Sequence, residues 1–195
     1  MIGGSKLTGA AAGAGPVSIL DGMPQRTDVF DLARLRLTSG EGRRLDLDVH
    51  VEPFAFGGQD YVASPDVVPV RLDVSRTTGA GWALRLRFGV DVAGPCVRCL
   101  EPAAPHFTVD AREVEQPGAG DDELSSPYVD DDGALDLAAW ARDALALTLP
   151  AQITCRPDCA GLCAQCGANL NEEPEHAHET GPDPRWSKLS ELKFE

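Results

Sequence analysis

At 195 residues and 43% hydrophobic, the chain can fill one domain-sized core with room for an appendage. Its net charge of −14 works against nucleic-acid backbone and favours basic protein partners. No stretch approaches membrane-spanning length and Met1 to Arg26 has no apolar signal region, so a cytoplasmic protein with reduced thiols is expected over a secreted disulfide scaffold.

Residues 1–26 are Gly- and Ala-rich without apolar periodicity and read as a disordered extension, with Met23 an alternative start. Strands follow. Leu45, Leu47, Val49 and Val51 alternate with Asp46, Asp48, His50 and Glu52, and Val70, Leu72 and Val74 alternate with Arg71, Asp73 and Ser75. Trp82, Leu84, Leu86, Phe88, Val90 and Val92 form a third alternating run, linked to the second through Thr78-Gly79-Ala80-Gly81. Such period-two patterns predict an antiparallel sheet with one face buried and one wet.

Cys96-Val97-Arg98-Cys99 then caps a hairpin whose return strand begins at His106. Charge is uneven beyond it: Asp110 to Asp136 carries ten acids against Arg112 alone, and Gln116 to Asp132 reads as a mobile acidic loop, for which solubility alone is the favoured reading and a basic partner the other. Asp136 is placed to N-cap a helix with Leu137, Trp140, Ala141, Ala144, Leu145 and Thr148 on one face, ending before Pro150. After a cysteine-rich segment, Asp183 and Pro184 start a last short helix bearing Trp186, Leu189 and Leu192. The expected fold is α+β: a mainly antiparallel sheet or partly open barrel, one or two helices, and a cysteine-rich zinc segment. Its parts are an extension (1–26), a sheet domain with acidic loop and helix (27–150), and a zinc segment with terminal helix packed on the sheet (151–195).

The six cysteines carry the chemistry. C-x2-C turns aim two thiolates at one ion, and Cys155, Cys159, Cys163 and Cys166 fall too close together to be four unrelated core thiols. With His176 and His178 there are eight donors, enough for two tetrahedral zinc ions. One partition joins Cys96 and Cys99 to Cys155 and Cys159 and leaves Cys163, Cys166, His176 and His178 as a local second site. A rival joins Cys96/Cys99 to Cys163/Cys166 as a zinc ribbon, and His176 and His178 could instead be solvated. Full ligand sets leave no position for substrate, and metalloprotease, deaminase, P-loop and nucleophile-elbow motifs are missing, so no enzyme is expected. Thiol redox chemistry at Cys96/Cys99 is the alternative. Outward Arg85 and Arg87, and Arg98 inside the knuckle, are candidates for RNA or partner contact, against cross-strand pairing with Asp46, Asp48, Asp73 and Asp91. His50 and His106 read as structural.

Four segments together resemble the YceD family, the large ribosomal RNA subunit accumulation proteins. They are Cys96-Val97-Arg98-Cys99-Leu100-Glu101-Pro102, Leu145-Ala146-Leu147-Thr148-Leu149-Pro150, the run from Cys159 to Asn171, and Asp183-Pro184-Arg185-Trp186. The resemblance implies a bacterial or plastid protein needed for normal large-subunit ribosomal RNA levels. Relatives often carry Cys-x-Cys where this chain has His176-Ala177-His178, a swap that suits zinc. The acidic balance, the closed ligand sets and the missing catalytic motifs then favour a non-enzymatic factor acting on large-subunit ribosomal RNA precursor or on a basic large-subunit ribosomal protein, with no small-molecule substrate. A metal-assisted RNA-processing enzyme is the alternative.

Overall fold

A computed structural model describes residues 26–118 and 124–178. The N-terminal extension before Arg26, residues 119–123 of the acidic loop, and the helix expected from Asp183 lie outside the described residues.

The sheet is organised by one strand. β6 (Trp82–Pro95) pairs along one edge with β5 (Val67–Arg76) and then β4 (Gln59–Ser64), and along the other with β8 (His106–Glu115) and the short β7 (Pro102–Ala103). β2 (Gly42–His50) extends the sheet beyond β5, and β3 (Phe54–Phe56) extends it beyond β4. All these pairings are antiparallel and the sheet stays open. A two-stranded pair, β1 (Val29–Asp31) with β9 (Ala134–Asp136), leads into helix α1 (Leu137–Thr148). Among the described residues no helix is long and apolar enough to cross a membrane.

The alternating residues behave as their period requires. Val70, Leu72 and Val74 of β5 and Trp82 through Val92 of β6 are buried on one face, where Trp140, Leu137 and Leu145 of α1 complete the core. At about 25 cal/mol per Å² of apolar surface, this shared face is the main stabilising term. Asp136 caps α1 as expected, its carboxylate accepting the Ala139 N–H at 2.9 Å. Thr148, expected on the buried face, is exposed and turns its hydroxyl back onto the Ala144 carbonyl.

Three features bear on the site. β3 and β4 form a hairpin that strand alternation did not reveal; Gly57 and Gly58 both take positive φ at its turn, as a tight hairpin demands. Tyr61 of that hairpin donates its hydroxyl to the Pro95 carbonyl, and a side chain at Gly94 would overlap the Tyr61 ring. β6 also runs three residues past Val92, so the longest strand delivers its end straight into Cys96. The described part of the acidic loop is tied down: Gln116 donates to the Leu124 carbonyl, and Ser126 is buried with its N–H on Glu115.

On the outward face the arginines are paired across strands. Arg85 makes a two-pronged contact with Asp110, Arg44 and Arg87 converge on Asp73, and Arg71 reaches Asp46. Those arginines hold the carboxyl groups of Asp110 and Asp73 below the usual range.

Candidate metal centres

The first centre grows from the end of β6. Cys96 N–H donates to the Glu101 carbonyl and Leu100 N–H to the Cys96 carbonyl, closing a tight turn that puts Leu100 at φ +63°. This left-handed value is strained for a β-carbon-bearing residue. The tail is then laid against the turn by backbone pairing. Val97 N–H donates to the Ile153 carbonyl and Leu162 N–H to the Arg98 carbonyl, at 3.0 and 3.1 Å. Gly161 makes that approach at φ +82°, where an added β-carbon would crowd the Arg98 carbonyl at 3.1 Å.

The four sulfurs of Cys96, Cys99, Cys155 and Cys159 consequently lie within 4.8 Å of one another. Cys96 faces Cys159 at 3.8 Å and Cys99 faces Cys155 at 3.7 Å, joining residues 63 and 56 positions apart. Cys96, Cys99 and Cys159 are buried, while Cys155 is exposed. Asn171 braces the set. Its side-chain oxygen accepts from the Ala160 N–H and the Arg156 guanidinium, and its amide donates to the Cys159 sulfur at 3.5 Å. Supporting groups of this kind fix the orientation of a ligand.

The second centre is local. Cys163 N–H donates to the Ala168 carbonyl and Gly167 N–H to the Cys163 carbonyl, with Gly167 at φ +76°. The resulting turn sets Cys163 and Cys166 beside the returning histidines. Cys163 Sγ lies 3.2 Å from His178 Nε2, Cys166 Sγ 3.2 Å from His176 Nε2, and the two Nε2 atoms 2.9 Å apart. All four donor atoms fall within 4.8 Å. Glu173, three residues before His176, takes the Nδ1 position at 3.1 Å and leaves Nε2 pointing at the shared centre. A carboxylate on the far ring nitrogen is the usual orienting partner of a metal-bound histidine.

The thiols themselves argue for a cation. Burial opposes ionisation of Cys96, but N–H groups of Cys99, Cys155 and Arg98 outweigh it and bring the thiol down to about 6. Burial and the neighbouring sulfurs push Cys155 up to about 12. Cys159 is likewise opposed by burial yet lowered by Asn171, while Cys99 is raised, its burial and the Cys96 and Cys159 sulfurs outweighing an N–H from Glu101. Four adjacent sulfurs thus divide into two that ionise readily and two that resist. A divalent ion removes that conflict, and a soft all-sulfur set suits zinc. In the second centre Cys163 is brought down to about 6 by N–H groups of Cys166 and Gln165, and its sulfur in turn raises His176. Each set fits a tetrahedral ion, and four protein donors leave no coordination position for water.

All eight expected ligands are therefore gathered, in the partition that bridges sheet and tail; the rival ribbon pairing of Cys96/Cys99 with Cys163/Cys166 is not formed. Arg98 is exposed on the knuckle and has no ion pair among the described residues, in contrast to Arg85 and Arg87. Asn171 and Glu173 were not expected from the sequence as supports. The signals were available: alternating Asn169 and Asn171, which bond each other, and an acid three residues before a candidate ligand histidine.

The profile described as "Large ribosomal RNA subunit accumulation protein YceD" matches residues 84–193. Uncharacterised proteins of Mycobacterium tuberculosis and Mycobacterium bovis are each 42% identical over 169 residues, covering 83% of this chain and 79% of theirs. A chloroplastic large ribosomal RNA subunit accumulation protein homologue of Zea mays is 41% identical over 51 residues, which is 26% of this chain and 17% of that protein. No solved structure matches the chain. With a family match over more than half its length, carried by the residues that build both centres, the chain belongs to the YceD family of large ribosomal RNA subunit accumulation proteins.

Proposed function

We propose that this protein is a non-enzymatic, zinc-dependent factor that supports accumulation of large-subunit ribosomal RNA during ribosome assembly in the cytoplasm. One observation carries the reading: the donors fall into two complete sets of four, the larger part of one set buried at the end of β6. Such ions would hold structure. Cys96, Cys99, Cys155 and Cys159 would hold one, and Cys163, Cys166, His176 and His178 the other.

The paired outward arginines favour a protein contact over broad phosphate binding, because each opposing aspartate cancels the charge an RNA backbone would seek. A basic large-subunit ribosomal protein, or the precursor RNA through such a protein, is the partner this supports, with the acidic residues between Asp121 and Asp132 as the complementary segment. Purification of tagged protein at low salt, followed by identification of bound RNA and protein, tests the reading. Recovery of pre-large-subunit particles, lost at raised salt, is expected. Unaided cleavage of precursor RNA by the zinc-loaded protein, abolished by a chelator, would overturn it.

A further inference from the structure

The two centres share one short stretch of chain. Cys166 and His176 both belong to the second, and Asn171 lies midway between them. Yet Asn171 reaches the first: its amide donates to the Cys159 sulfur at 3.5 Å, and its oxygen accepts the Ala160 N–H at 2.8 Å. The same amide donates to the Asn169 side-chain oxygen at 2.8 Å, which also accepts the Asn171 N–H. Asn169 in turn is part of the second centre's turn. It bridges to Leu162, and its carbonyl accepts the N–H of Glu173, the residue that holds His176. A continuous hydrogen-bonded path therefore runs from His176 through Glu173, Asn169 and Asn171 to a sulfur of the other set.

Little else holds this stretch. No residue from Cys163 to His178 is buried, so no apolar core fixes it. Glu172, Glu173 and Glu175 share the loop with two thiols that must both ionise to bind an ion. Without a cation those like charges repel and the loop loosens; with one, both its ends are pinned. The orientation of Asn171 is thus set by what happens at the ends of its loop.

We propose, on the reading that both sets hold metal, that an ion in the second centre raises the metal affinity of the first, with Asn171 as the positioning residue that carries the coupling. A loose loop leaves the Cys159 sulfur without its amide donor, and loss of such an outer contact typically costs about 10–100-fold in metal affinity. Linkage makes the effect mutual, so an ion in the first centre tightens the second by the same factor. The local site acts as a latch on the site that ties sheet to tail.

The test titrates full-length protein with cobalt(II), whose sulfur-to-metal absorption separates a four-sulfur set from one with two sulfurs and two nitrogens. Cys166→Ser with His178→Ala disables the second centre at exposed positions and leaves His176 on Glu173. This double variant should bind cobalt at the first centre about tenfold more weakly than the parent, and Asn171→Ala should lose about as much. Combining all three changes should add less than about twofold, because the path is already cut. Unchanged first-centre affinity in the double variant would overturn the proposal, as would a multiplied, roughly hundredfold loss in the combination. Amide exchange at Ala160, whose N–H rests on Asn171, should also be several-fold faster in the double variant with its first centre saturated, and equal exchange would overturn the coupling even if Asn171→Ala does not fold. Uptake of fewer than two ions by the parent would overturn the two-centre reading along with the coupling, whereas two ions bound independently would sink the coupling alone.

Discussion

The two centres use four donors each and differ in what those donors tie together. The first joins the end of β6 to a segment 56 and 63 residues away, with three of its sulfurs buried. The second closes a loop between Cys163 and His178, with Cys166 and His178 exposed. Loop length makes the lesson quantitative: a crosslink over about 60 residues removes roughly 4 kcal/mol of unfolded-chain entropy, against about 3 for a 15-residue loop. The larger difference is enthalpic and solvational, since opening the first centre also exposes the core around Ile153 and Cys159. With an ion in each, the first centre would hold the fold and the second a loop.

The largest effect should come from Cys96→Ser. Structural zinc contributes on the order of 10–16 kcal/mol in small domains, so loss of a buried ligand should abolish cooperative melting and protease resistance. His176→Ala should remove about one zinc per chain and leave the sheet's melting nearly unchanged. Equal losses in the two variants would erase the contrast. Graded chelator should likewise strip the second centre first, giving two separate zinc-release phases.

Proton release sharpens the contrast next. At pH 7 the metal-free protein already holds Cys96 and Cys163 as thiolates, both at about 6, whereas Cys155 stays protonated until about 12. Zinc loading of the first centre should therefore release protons chiefly from Cys99 and Cys155, measurable by calorimetry in buffers of different ionisation enthalpy. The same values set the stability of the metal-free chain. Cys96 and Cys163 lie below the usual thiol value of about 8.5, so their contribution is complete above that value and is lost as pH falls towards 6. Cys155 acts in the opposite sense, contributing below about 8.5 and losing its contribution as pH rises towards 12. Melting of the metal-free protein across pH 5 to 11 checks both signs.

A moderate effect is expected at the acidic run. Neutralising Asp121, Asp122, Glu123, Asp131 and Asp132 should weaken association with pre-large-subunit particles without altering zinc content or melting. Asp130 is kept, because its carboxylate accepts the N–H groups of Asp132 and Ala134 and shapes the turn into β9. Unchanged association would reduce the run to a solubility device. The smallest effect should be Arg85→Ala: its pair with Asp110 is exposed and screened by solvent, so melting should shift little.

The sheet was legible where alternation was long. β2, β5 and β6 announce themselves because every second residue meets the core, and Asp136 marks the start of α1. β3 and β4 were not legible, since Phe54–Phe56 and Gln59–Ser64 are short and carry too few repeats to set a period. The ligands were legible by residue type and spacing, but the choice between bridging and ribbon pairing was not. That choice is made by Val97 on Ile153 and Leu162 on Arg98, backbone contacts that any sequence could supply. The cross-strand fate of Arg85 depended on register, which set Asp110 diagonally opposite it on β8.

The separation of the first centre's two halves also has a meaning in time. Cys99 is made 56 residues before Cys155. At about 5–20 residues per second, roughly 3 to 11 seconds of synthesis pass between them. Once Glu115 has been added, the nascent chain holds a complete hairpin with two thiols and half a binding site. Zinc captured then would be held by two donors only, and the seal closes when translation delivers Cys155 and Cys159. Synthesis is therefore ordered, strand before tail, and a metal bound at the first centre would join the two only once the tail has been made.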